Sequence, residues 1–239
     1  MEKTNINDIL AVSSESESEN ETTPEDSTDY FTAPELTEYF ELIRKTLNKF
    51  SDIICIDTET VGEDTLDWRK SDTAIIQIKD AKNKSKKDIV IIQMCLLNMD
   101  DKEFWCYFNE YLNSKTLLIL HNANYDLIYF RKYGVKLGTK VKIWCTFLSE
   151  IVIKGNPELD FKINKKFNIE NSGVYGYKDL VLKYFGIKLE KKEALSSWGD
   201  LKLTKSQIKY AQEDVLYLHD IYQIQLKQAT EYQEDAWCC

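Results

Sequence analysis

Ile53-Ile54-Cys55-Ile56-Asp57-Thr58-Glu59-Thr60 is the stretch whose reading decides the fold. Four apolar residues, three of them isoleucine, follow an amphipathic segment and stop abruptly at two carboxylates. A short unbroken apolar run rich in β-branched residues predicts a strand covered on both faces. Side chains alternate along a strand, so Asp57 and Glu59 project to one side, roughly 6–7 Å apart. Two like charges at the end of an apolar sheet need a counter-charge, because a buried unpaired charge is very unfavourable. By itself the stretch supports two readings: a strand end entering a polar turn, or half of a divalent-cation site.

The composition fits one substantial core and is short for two ordinary domains: 239 residues, 43% hydrophobic, with 5 Trp, 14 Tyr and 10 Phe. Residues 1–33 hold nine acids against the single base Lys3, so they carry −8 of the formal −9 and leave the remainder near −1. An acidic total therefore does not exclude a polyanionic ligand. Residues 1–33 include the low-complexity run Ser13–Glu19 and cannot bury enough apolar surface to offset chain ordering. They are expected to form a disordered, solubilising acidic arm, which is also a candidate for docking a protein partner. No run approaches the ~18 apolar residues of a membrane span, and the N-terminus lacks a basic-then-apolar signal pattern. Cys55, Cys95, Cys106, Cys145, Cys238 and Cys239 show no CxxC spacing, so neither a zinc site nor a disulfide framework is expected. A reducing intracellular compartment, cytoplasm or nucleus, fits that usage. Residues 229–239, with Cys238-Cys239 at their end, read as a short solvated tail.

Working outward, Leu36, Tyr39, Phe40, Ile43, Leu47 and Phe50 recur at helical spacing, with Thr32 and Glu35 at capping-box positions. After the first strand come two more strand-like runs, Ala74–Ile78 and Ile89–Leu97, separated by the basic turn Lys82–Lys87. Short connections between three strands predict an antiparallel meander. A helix over Phe104–Leu112 leads to a fourth strand, Leu117–Leu120, which ends in His121-Asn122-Ala123-Asn124-Tyr125-Asp126. The next residues have helical spacing, closed by Gly134. Asp126 thus falls in the first turn of a helix, either as a capping carboxylate or as a ligand delivered to the same sheet edge. Val141–Thr146 reads as a fifth strand, with helices over Phe147–Ile153 and Tyr177–Tyr184. Thr204 and Gln207 are spaced as a capping box for a last helix running to about 228. On it Tyr210 and Asp214 lie one turn apart on the same face; taken alone they are a core filler and a surface charge.

Asp57-Thr58-Glu59, Asn122-Ala123-Asn124-Tyr125-Asp126 and Tyr210-Ala211-Gln212-Glu213-Asp214 resemble, in order, spacing and context, the three motifs of the DEDD superfamily of 3′-5′ exonucleases. Tyr210 is similar to the tyrosine of the Tyr-type branch, which includes ribonuclease D, the Werner-syndrome exonuclease domain and the proofreading domain of bacterial DNA polymerase I. The His-type branch would place a histidine where this chain has Lys209. The resemblance spans residues 34–228 and extends to Ser196-Ser197-Trp198, Leu203-Thr204 and Gln207. It departs at Ser197, where an acid is common, in lacking a proline before Leu203, and at Cys145-Thr146, where relatives often have Asp-Thr.

The resemblance implies an α/β, ribonuclease H-like fold: a mixed five-stranded sheet, an antiparallel meander followed by parallel strands, flanked by helices. It implies two divalent cations, Mg²⁺ or Mn²⁺, held by Asp57, Glu59, Asp126 and Asp214, with Tyr210 orienting the attacking water. Hard oxygen ligands suit either ion. The implied substrate is a single-stranded 3′ end of DNA or RNA, cut to nucleoside 5′-monophosphates. Thr58, Thr60, Asn122, Tyr125 and Trp198 are candidates to line its pocket, with Trp198 equally read as core. Lys162, Lys165, Lys166, Lys188, Lys191 and Lys192 are candidates to track the backbone or are simply solvated. Nothing in 239 residues accommodates the helical nucleic-acid-binding domains that follow the ribonuclease D catalytic domain, so a freestanding nuclease or a small subunit of an assembly is expected. The competing class is a module that keeps the fold and binds nucleic acid or a protein without catalysis; the four carboxylates and Tyr210 argue against it.

Overall fold

The computed structural model describes residues 33–83, 89–97, 101–154, 175–190, 192–194 and 196–237. The acidic arm, Thr32 of the first capping box, most of the lysine turn, Lys162, Lys165, Lys166, Lys191 and Cys238-Cys239 lie outside the described residues.

Five strands form one sheet: β1 Ile53–Gly62, β2 Ser71–Asp80, β3 Ile89–Gln93, β4 Leu117–Leu120 and β5 Lys142–Cys145. Their order is β3-β2-β1-β4-β5. β1 pairs antiparallel with β2, as does β2 with β3, whereas β1 with β4 and β4 with β5 are parallel. This is the meander-then-parallel sheet expected. The helices are α1 Ala33–Leu47, α2 Lys102–Asn113, α3 Asn124–Lys132, α4 Thr146–Lys154, α5 Tyr177–Phe185, α6 Lys205–Leu216 and α7 Leu218–Trp237.

The period of two along β1 divides its side chains between two cores. Ile54 and Ile56 pack with Ile43 and Leu47 of α1 and Phe104 and Phe108 of α2. Cys55 faces the other way, onto Val181 of α5, Val215 of α6 and Ile221 of α7. Both faces are covered, which is why the strand reads as a continuous apolar run. The same alternation sends Asp57 and Glu59 toward α6 while Thr58 and Thr60 face α3.

Three elements differ from the expected ones. The run Ile89–Leu97 is a strand only to Gln93, whose N–H donates to the Tyr39 hydroxyl at 2.9 Å, and Met94–Leu96 continue as a 3₁₀ turn. The last helix does not end near 228 but continues to Trp237, so the short tail is helical over most of its length. It is also two helices, because the Tyr177 hydroxyl enters the helical ladder. That hydroxyl donates to the Glu213 carbonyl at 2.7 Å and accepts from the Tyr217 N–H at 3.1 Å, separating the i→i−4 pair. α6 starts as expected, with Thr204 and Gln207 exchanging both capping-box hydrogen bonds.

Among the described residues no helix is long and apolar enough to cross a membrane. Cys55, Cys95, Cys106 and Cys145 are free thiols.

Candidate metal-binding active site

The site is assembled in the middle of β1, which runs on to Gly62 instead of ending at the two carboxylates, just beyond its pairing with β4. Parallel pairing of Cys55 with Ile119 brings the end of β4 alongside Asp57, so the turn after Leu120 is delivered to the same sheet edge. Asn122 takes a left-handed conformation there (φ 56°), one that asparagine tolerates better than most residues. That reversal lets α3 begin at once, with Asp126 in its first turn. α3 then closes as Gly134 permits: its φ is 88°, and the Val135 N–H reaches the Phe130 carbonyl at 3.0 Å.

One oxygen from each of Asp57, Glu59 and Asp214 lies within 4.8 Å of the other two. Asp57 and Glu59 come from β1 and Asp214 from α6, so the trio exists only because α6 crosses this face of the sheet. Asp126 is not part of that trio. It is buried, and its Oδ1 accepts from the Thr58 hydroxyl at 2.7 Å. Thr58 sits between the two acidic residues of β1 but faces α3, so it holds the fourth carboxylate next to the cluster.

An open cleft of about 410 Å³ exposes this chemistry, lined by Asp57, Thr58, Glu59, His121, Asn122, Tyr125, Asp126, Tyr177, Lys178, Tyr210 and Asp214 among others. The carboxylates repel one another inside it. Burial, then Asp126, Asp214 and Glu59, push Asp57 well above the usual carboxylate range. Burial and Asp214 push Glu59 up to about 8, although Lys178 pulls against them. Asp126 and Asp214 are both pushed up to about 7, chiefly by burial, with Thr58 opposing the shift in the first and Lys178 and Tyr210 in the second. Such a cluster fits a divalent cation: several carboxylate oxygens converge, and a nearby double charge lets them ionise. Tyr210 lies beside Asp214, and its hydroxyl opposes the rise in the Asp214 pKa. Burial, followed by the Asp214, Glu59 and Asp57 charges, raises its own pKa, so it remains a neutral donor.

The remaining candidates separate. Thr58, Asn122 and Tyr125 line the cleft. Thr60 stands behind Tyr125, with the two hydroxyl oxygens 2.8 Å apart, and Tyr125 also donates to the Thr65 carbonyl. Trp198 is 2% exposed and does not line the cleft; it packs with Ala74, Ile75, Ile91 and Ala211. Its ring centre lies 5.8 Å from that of Tyr210, so it supports the tyrosine from behind. Gln207 fastens this segment to α6 by donating to Ser196 Oγ and the Ser197 carbonyl.

Three cleft residues were not legible as such. His121 lines the wall with its Nδ1 2.9 Å from Thr146 Oγ1, and burial lowers it to about 4. Tyr177 and Lys178 open α5, where the sequence signals only a helix start. Lys178 Nζ lies 3.9 Å from Asp214 Oδ1 and 3.8 Å from the centre of the Tyr210 ring.

The sequence profile described as 3′-5′ exonuclease matches residues 31–229. The ribonuclease D of Shewanella sp. (strain ANA-3) is 27% identical over 172 residues, covering 72% of this chain and 37% of that protein. The chain thus spans well under half the length of that curated relative. Among solved structures, the Aedes aegypti Nibbler EXO domain aligns with TM-score 0.57 at 20% identity, over 82% of this chain and 87% of that one. Brucella melitensis NrnC with bound Mg²⁺ aligns with TM-score 0.51 at 18% identity, over 77% and 76%.

Proposed function

The chain belongs to the 3′-5′ exonuclease family, and from that premise we propose that it hydrolyses phosphodiester bonds at single-stranded 3′ ends, releasing nucleoside 5′-monophosphates. The observation that carries this reading is the convergence of Asp57, Glu59 and Asp214 within 4.8 Å, with Tyr210 beside Asp214. Asp57, Glu59, Asp126 and Asp214 would hold two Mg²⁺ or Mn²⁺ ions; the relative NrnC is described with bound Mg²⁺. When bound, such ions supply an activated water and neutralise charge on the phosphate and the leaving oxygen.

The protein's own groups do the positioning. Tyr210, a neutral phenol, orients the attacking water and does not need to remove its proton. Thr58 keeps the Asp126 carboxylate aimed by donating to its Oδ1. Asn122, in the β4–α3 turn, and Tyr125, in the first turn of α3, line the cleft and on this reading receive the terminal nucleotide. Trp198 acts through Tyr210 and is not a surface for the substrate. A reducing intracellular compartment suits the free thiols.

The test compares 5′-labelled and 3′-labelled single-stranded RNA and DNA in Mg²⁺ or Mn²⁺. A ladder shortening from the 3′ end, with mononucleotide product, is expected. Asp57→Asn should lower the rate by at least about 100-fold, because a direct ligand matters more than a supporting contact. Equal rates in the two proteins would overturn the proposal.

A further inference from the structure

Among the described residues lining the cleft, Lys178 is the one lysine or arginine, against five carboxylates: the four of the site and Asp179. Its side chain is only 14% exposed, a rare condition for a lysine, whose ammonium is strongly hydrated and whose stem loses rotamer freedom when held. Three of its contacts bear on the site. The ammonium is 3.9 Å from Asp214 Oδ1, lies 3.8 Å from the Tyr210 ring centre and donates to the Glu190 carbonyl at 2.5 Å. Those partners differ in kind: an anion, a π face and a neutral carbonyl.

We propose that Lys178 is the resident counter-cation of the carboxylate cluster, steadying Asp214 and Tyr210 in the metal-free protein and weakening divalent-ion binding by opposing it. The inference rests on reading that cluster as a metal site. Unit charges about 4 Å apart in a partly screened protein interact strongly enough to change a binding constant by more than tenfold. An ammonium beside Asp214 stabilises that carboxylate and repels any cation that binds the same group. The Glu190 carbonyl and the face of Tyr210 allow it to yield Asp214 without leaving the cleft, because both accept a cation without carrying a charge. Loading the site is therefore an exchange of one cation for another at Asp214. Lys178 is a positioning residue in this scheme.

The experiment is calorimetric titration of the full chain with Mn²⁺, in wild type, Lys178→Met, Lys178→Arg and Asp57→Asn. The expected result is measurable binding in wild type, none in Asp57→Asn, affinity raised at least about tenfold in Lys178→Met, and wild-type affinity in Lys178→Arg, which keeps the charge. A merely structural lysine would not give a gain in affinity on its removal. Unchanged or weaker Mn²⁺ binding in a folded Lys178→Met protein overturns the role of Lys178 and leaves the metal site standing. No binding in wild type overturns both. If Lys178→Met folds only with Mn²⁺ present, the counter-cation role is supported; if it folds in neither condition and Lys178→Gln shows no gain, the role is refuted.

Discussion

Two hydroxyls carry separable tasks at the site. Tyr210→Phe removes the oxygen proposed to orient the attacking water while leaving the ring against Trp198. A fall in kcat of roughly 100-fold or more is expected, with KM and Mn²⁺ affinity near wild type, from steady-state kinetics and titration. Loss of Mn²⁺ binding instead would assign the hydroxyl to assembling the site. Thr58→Val has a different signature, since it strips the Asp126 carboxylate of its donor and leaves a buried acceptor without that bond. Destabilisation of about 1–3 kcal/mol is expected by urea unfolding of the metal-free protein. The difference follows from the strand's period of two. Asp57 and Glu59 project to one side, where α6 lies, and Thr58 to the other, where it meets Asp126 of α3.

At the scale of elements, Tyr177 decides where α6 ends. Its hydroxyl separates the Glu213 carbonyl from the Tyr217 N–H, one residue before Asp214. In Tyr177→Phe those two groups can rejoin directly, so stability should change by about 1 kcal/mol or less. The readout is positional: slower hydrogen exchange at the Tyr217 amide, together with weaker Mn²⁺ binding as Asp214 moves with its helix. Wild-type exchange and affinity would show that the interruption of the helix does not set Asp214. A second polar junction lies away from the cleft. Glu150 of α4 is fully buried and accepts from Lys183 and Tyr184 of α5 and from Gln225 of α7. Burial raises its carboxyl, but the hydrogen bonds from Lys183, Gln225 and Tyr184 outweigh it, so its pKa lies below the ordinary value. The unfolded chain therefore takes up this proton first. The contribution is complete above the ordinary glutamate value, near ~4.3, and is lost as pH falls through the native one. The stability deficit of Glu150→Gln should accordingly be largest at neutral pH and disappear below about pH 4, as measured by unfolding across that range.

For the molecule as a whole, the clustered carboxylates Asp57, Glu59, Asp126 and Asp214 are a source of instability that a bound cation would relieve. Their pKa values are raised: Glu59 to about 8, and Asp126 and Asp214 to about 7. Between the ordinary carboxylate range and those values, the folded chain holds protons that the unfolded chain has released. Rising pH therefore lowers the stability of the metal-free protein across that window. On the proposed reading of the site, Mn²⁺ would bind the folded state and add stability by mass action. The rise in Tm on adding Mn²⁺ should be larger at pH 8 than at pH 6, and metal-free Asp57→Asn should melt above metal-free wild type at pH 8. A Tm independent of both pH and Mn²⁺ would contradict the electrostatic picture. Much of this molecule was determined by its sequence alone: the buried strand carrying Asp57 and Glu59, the place of Asp126 in the first turn of α3, the capping box of α6 and the pairing of Tyr210 with Asp214 on one face. Each depends on local periodicity or on contacts within a few residues, where spacing and side-chain chemistry are sufficient. The division of the last helix, the seat of Trp198 behind Tyr210, the separation of Asp126 from the trio and the presence of Lys178 and Tyr177 in the cleft were decided only by the tertiary structure. They depend on how each helix is rotated and seated over the sheet, which is set by the packing of both cores together and leaves no mark in the spacing of any one segment.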